Sequence, residues 1–148
     1  MKSKVVGKNL LVILLGFCFV VLTTGCDPMG HVSGNVPKES HFNFFLTRDL
    51  NAYFNAHLRR PVVVEFDMLR RHATQSGTSL PKYYIWVRIS EKGKVLEQGA
   101  ARIVAVEKTH FEILQYITQA EIQRNPEIVK SLFPESLCPD ILMKAKAN

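Results

Sequence analysis

Two carboxylates, Glu65 and Asp67, stand two residues apart in PVVVEFDMLRR, the spacing that puts both on one face of a strand. A pair so placed has the reach for general acid–base work. Neighbouring segments add Tyr84, Trp86 and Arg88 from KYYIWVRIS, Arg102, and His110, Glu112 and Tyr116 from HFEILQYI. Gathered on one sheet face, Arg88 and Arg102 could grip a carboxylate or phosphate in forked geometry, while Tyr84 and Trp86 stack on a ligand. The competing reading is a solvated face laced with cross-strand charge pairs, each contributing at most about 1 kcal/mol. Alternation of this kind is what any half-exposed antiparallel sheet shows, so it favours the solvated face.

The rest of the chemical inventory is thin. No serine or cysteine has a visible base. His72 and His110 are the histidines near strand ends, and HxH, HExxH and CxxC spacings are absent, as are the glycine-rich phosphate loop and the dinucleotide fingerprint. The expectation is a protein that is not an enzyme and has no cofactor and no metal site. Cys138, in SLFPESLCPDIL, reads as a small buried hydrophobe. Arg59–Arg60 and Arg70–Arg71–His72 are basic clusters at the two ends of the first strand, either solvated ends that discourage edge pairing or contacts for anionic headgroups.

The elements that position these residues follow from periodicity. Thr47 is a plausible N-cap for RDLNAYFNAHL, where Leu50, Tyr53, Phe54, His57 and Leu58 share one helix face until Pro61 closes it. His57 on that face reads as a half-packed boundary residue. Four strands follow. Val62, Val64, Phe66 and Met68 share one side of the first, and HATQSGTSLP makes a turn-rich connection. Tyr83, Ile85, Val87 and Ile89 share one side of the second, opposite Tyr84, Trp86 and Arg88. Glu91–Lys92–Gly93–Lys94 is a tight hairpin turn with glycine where positive φ is cheap. The third strand, Val95 to about Val106, contains Gly99–Ala100–Ala101, a natural place for a bulge or sharp bend. The fourth puts Phe111, Ile113 and Ile117 on one face and His110, Glu112 and Tyr116 on the other. Thr118 with Glu121 three residues later is a capping box, and Pro126, Pro134 and Pro139 divide the remainder into short helices. The simplest packing is an α+β domain: an N-terminal helix, a curved antiparallel four-stranded sheet and C-terminal short helices, all on one sheet face. The layout resembles that of cystatin-like folds by analogy only, and layout does not fix function.

The start of the chain has a different character. Lys2, Lys4 and Lys8 precede LLVILLGFCFVVL, Leu10 to Leu22, thirteen residues without charge. A span needs about twenty apolar residues to cross roughly 30 Å of hydrocarbon, so this stretch reads as the apolar core of a secretory signal peptide. Leu22, Thr23, Thr24, Gly25 and Cys26 then resemble a bacterial lipobox, with leucine one place earlier than in the usual pattern. The resemblance covers residues 1–26. It implies cleavage after Gly25 and acylation of Cys26 as the first mature residue, palmitate among the acyl groups. It also implies a protein lipid-anchored to the bacterial cell membrane and facing the periplasm or the cell exterior. Asp27 in the second mature position tilts a Gram-negative protein toward the inner membrane.

The division expected is therefore a signal peptide at 1–25, the lipidated cysteine with a flexible tether at 26–41, and one α+β domain at 42–148. Asp27 to His41, DPMGHVSGNVPKESH, has no apolar periodicity and would reach on the order of 20 Å. The whole chain carries 19 basic and 13 acidic residues. Without Lys2, Lys4 and Lys8 the balance is 16 against 13, too mild to demand a nucleic-acid partner. These features together point to an extracytoplasmic lipoprotein of the cell envelope that binds another protein, in an assembly or secretion apparatus. The alternatives are a sensor or carrier of a small anionic ligand, using the polar sheet face, and, with less support, a hydrolase built around Glu65 and Asp67.

Overall fold

A computed structural model describes residues 34–74 and 79–147. The expected signal peptide, Leu22–Cys26 and the first part of the expected tether lie outside the described residues. The described chain has the α+β layout: helix α1 (Glu39–Leu58), strands β1 (Val63–Met68), β2 (Lys82–Glu91), β3 (Lys94–Val106) and β4 (His110–Thr118), then helices α2 (Gln119–Arg124), α3 (Glu127–Leu132) and α4 (Cys138–Lys146). A single 3-10 turn, Glu135–Leu137, leads into α4. The four strands form an antiparallel meander in the order β1-β2-β3-β4.

Helix α1 starts eight residues before the expected cap at Thr47, which lies in its middle. Phe42, Leu46, Leu50, Phe54 and Leu58 recur every four residues, a stripe that faces the sheet. Arg59 closes the helix in the left-handed region, at φ 53°, and Arg60 N–H returns to Asn55 O. Pro61 therefore follows a helix that has already ended. His57 is exposed and stacks on Tyr53, with ring centroids 5.8 Å apart.

The sheet is covered on both faces, not one. Tyr83, Ile85, Val87 and Ile89 of β2 pack with Val64, Ala101, Ile103, Phe111 and the α1 stripe. Tyr84 and Trp86, pointing the other way, pack with Ala100, Ile117, Ile122, Val129, Phe133 and Ile141. The strand was apolar on both sides, and the second side is what the C-terminal helices bury. Their placement is fixed by the capping box at Thr118, whose Oγ1 accepts from Glu121 N–H at 3.1 Å while Glu121 Oε2 accepts from Thr118 N–H at 2.8 Å. The side-chain amides of Gln119 and Gln123 donate to Ala145 O at 2.9 and 2.6 Å, satisfying carbonyls at the end of α4.

Helix α1 also covers the open sheet edges. Asn55 Oδ1 accepts from Val62 N–H at 2.7 Å and Asn51 Oδ1 from Val64 N–H at 2.9 Å, along the free side of β1. On the opposite edge, Asp49 Oδ2 accepts from Phe111 N–H at 2.7 Å. One helix reaching both outer strands requires the sheet to curl around it. Two bulges supply bending, Leu96 against Ile89–Ser90 and Leu114 against Arg102–Ile103.

The bulges are not at Gly99–Ala100–Ala101, where the sequence suggested one. Gly99 serves close approach instead: a Cβ there would collide with the Ile117 carbonyl oxygen and lie 2.8 Å from Tyr116 Cε2. The extra residue at Leu114 has a second effect, because a one-residue slip reverses every side chain beyond it. Phe111, Ile113 and Tyr116 face α1, and Ile117 joins the opposite cluster, the reverse of the expectation for the last two.

Candidate functional site

The polar sheet face divides into three parts once the C-terminal helices are in place. Tyr84 and Trp86 form its floor, only 5% and 4% exposed, so neither ring offers a stacking platform. The Tyr84 hydroxyl accepts from Thr74 Oγ1 at 3.1 Å, and Trp86 Nε1 donates to Gln98 Oε1 at 3.5 Å. Beside this floor the rim is charged. Arg88 Nη1 meets Glu65 Oε2 at 3.5 Å, directly across the β1–β2 register. Asp67 Oδ2 meets Lys144 Nζ of α4 at 3.0 Å. Glu65, Phe66, Asp67, Trp86 and Arg88 enclose a notch of about 220 Å³, smaller than the 300–1,000 Å³ usual for small-molecule sites.

Arg102 belongs elsewhere. It pairs with Tyr84 in the β2–β3 register, whereas Arg88 pairs with Gln98. Four residues along a strand separate their rows by about 13 Å. Arg102 Nη1 donates to Leu132 O at 3.3 Å, placing a cation at the last turn of α3, while its Nε is buried with no partner. Both guanidiniums are therefore turned to protein groups, and no shared anion fork exists between them. His110 stands at the far start of β4 against Glu112, Nε2 to Oε1 at 3.4 Å, away from Trp86. Tyr116 is inside the α1 core, its ring edge-on to Phe54 and its hydroxyl donating to Glu97 Oε1 at 2.8 Å. Burial first, then the Glu97 contact, raises its phenol far above the ordinary tyrosine range.

What remains accessible on this face is the end not roofed by helices. Val63, Ser90 and Val95 form one cross-strand row, with the bulged Leu96 beside it and Glu65 and Arg88 in the next row. Val63 is 60% exposed and Val95 43%. Sequence reasoning missed this row because an isolated valine at a strand end carries no periodic signal.

It also missed the far end of the molecule. Asn35 O accepts from Lys108 N–H at 3.0 Å and Asn35 Oδ1 from Glu107 N–H at 3.4 Å, so the segment before α1 is latched to the β3–β4 turn. Val36 packs on the core and Pro37 is buried. Residues 34–41, expected within the tether, thus belong to the domain. Val36–Pro37 ahead of the aromatic Phe42, Phe44 and Phe45 was the available signal. A groove of about 580 Å³ lies here, lined among others by Val36, Phe42, Met68, Arg71, His72 and Tyr83. A second groove, of about 610 Å³, runs along Lys130, Glu135, Cys138, Pro139 and Leu142. Its Cys138 is buried, with Sγ against Pro134 O at 3.5 Å.

Among the described residues no three of histidine, cysteine, aspartate and glutamate converge as metal ligands, and no helix is long and apolar enough to cross a membrane. Compared with known protein families, with curated proteins and with solved structures, the chain matches none.

Proposed function

We propose that this chain is a bacterial lipoprotein precursor whose residues 1–25 are removed and whose Cys26 carries the acyl chains. Its α+β domain is held at the extracytoplasmic side of the cell membrane and acts as a non-enzymatic module that binds another protein of an envelope assembly or secretion apparatus. The observation that carries the reading is the order of basic residues, thirteen uncharged residues and Leu22–Thr23–Thr24–Gly25–Cys26 at the start of the chain. More than one acyl chain on such a cysteine gives stable anchoring, where one is marginal.

The domain's surface supports partner binding over ligand binding. The charged notch is small, Trp86 is roofed, and Arg88 and Arg102 are engaged separately. The open row of Val63 and Val95, bordered by Glu65 and Arg88, combines apolar area with a polar rim, the composition of a modest protein interface. A partner meets this face rather than extending the sheet at Val62, Val64 or Phe111, because α1 side chains already occupy those edge N–H groups.

Metabolic labelling with a fatty acid tests the anchor. Wild type takes up label and partitions into detergent, whereas Cys26→Ser does neither. A photo-crosslinker at Val63 then tests the module: it traps a discrete membrane-associated species that one placed at Ala52, on the outer side of α1, does not. An unlabelled wild type that retains Lys2 overturns the anchor, and identical trapping from both positions overturns the partner face.

A further inference from the structure

We infer that the end of the domain from which the N-terminal segment leaves docks directly on anionic phospholipid headgroups, giving the protein a second membrane contact besides its acyl chains. The inference rests on the lipoprotein reading above. Asn35, latched to Glu107 and Lys108, fixes where the chain departs. Asn35 is nine steps along the chain from Cys26, and at 3.3–3.6 Å per step these span at most about 32 Å. Whatever path they take, this end of the domain stays near the surface that holds the lipid.

That end is basic where the tether leaves it. Arg71 and His72 line the same groove as Val36 and Pro37, and Lys38, Arg70 and Lys108 are exposed around it. None of Lys38, Arg70, Arg71 and Lys108 is ion-paired among the described residues, whereas Arg60, Arg88 and Lys144 elsewhere are. Glu39, Glu107 and Glu112 are acids of this end and Asp49 is paired with Arg48, which leaves the four cations in excess by one before the histidines are counted. An anionic leaflet favours each basic residue at its surface roughly fivefold. The opposite cluster, Arg59 with Lys92, lies beyond the other end of α1, whose twenty residues measure about 30 Å. Presenting that end to the bilayer would use nearly the whole extended length of the segment, so the reach favours the Arg70–Arg71 end, with the Val63–Val95 row turned away from the bilayer.

The test uses acylated protein reconstituted into phosphatidylcholine vesicles, or into vesicles with about 30% phosphatidylglycerol, both carrying brominated lipid. An environment-sensitive dye is placed on Ser40→Cys, at the near end, or on Lys92→Cys, at the far end. Expected is quenching of the Ser40 dye at least threefold stronger with phosphatidylglycerol, lost in 0.5 M salt and in R70E/R71E, with the Lys92 dye unaffected throughout. Equal quenching in both vesicles, or no response to R70E/R71E, overturns the inference. Mass spectrometry of Cys26 separates the two ideas. If no acyl group is present, the lipoprotein reading fails by itself. Flotation of the same chain with phosphatidylglycerol vesicles then decides the headgroup contact: R70E/R71E must lower the partition coefficient by more than about 25-fold, and an unchanged coefficient overturns it.

Discussion

Three side chains of one helix, Asp49, Asn51 and Asn55, do work that their residue types do not announce. Each supplies an oxygen to an N–H in or just before an edge strand that the ladder leaves open, and a buried donor without a partner costs about 1–3 kcal/mol. Asn51→Ala and Asn55→Ala should each destabilise the fold by about that amount in urea unfolding, with Asn51→Asp far milder because it keeps an acceptor. Tyr116 gives a pH-dependent counterpart. Its folded phenol, buried and bonded to Glu97, holds its proton at pH values where an unfolded tyrosine, with a pKa of about 10, has lost it. The unfolded state then binds fewer protons, so stability falls as pH rises above about 10. Tyr116→Phe should flatten the alkaline limb of a stability–pH profile while leaving neutral-pH behaviour close to that of a small packing change.

At the scale of elements, legibility tracked periodicity. Strands β1 to β4, the β2–β3 turn and the Thr118 capping box could be read because their signals are local: alternation, a glycine with positive φ, a Thr with Glu three residues on. The first turns of α1 could not, since Phe44 sits on the exposed side among the aromatics that face inward and blurs the stripe. The reversal of Tyr116 and Ile117 was equally hidden. A bulge at Leu114 adds one residue to a pattern whose period is two, and nothing in HFEILQYI marks where it falls. The candidate site was legible as a set of residues but not as a surface, because which rings are roofed depends on helices that come only after β4. The β3–β4 turn offers an element-level test. Glu107 and Lys108 both hold positive φ, 52° and 61°, where side chains other than glycine and asparagine are disfavoured. Lys108→Gly keeps the N–H that bonds Asn35 and should stabilise the protein by about 1 kcal/mol in thermal unfolding.

For the whole molecule, the three-layer arrangement makes the C-terminal helices structural cover and not an appendage. Trp86 is the sole tryptophan and sits under them, so truncation after Arg124 should shift its fluorescence to the red and increase binding of an apolar dye, with β1 to β4 still formed by circular dichroism. The latch at Asn35 has a mechanical consequence. A tug on the chain ahead of Asn35 reaches the hairpin at Glu107–Lys108 through two hydrogen bonds before it reaches α1. Those bonds act as a fuse: a gentle load leaves the domain reined in at its shortest leash, and a stronger one pays out the slack of residues 35–38 without unwinding the helix.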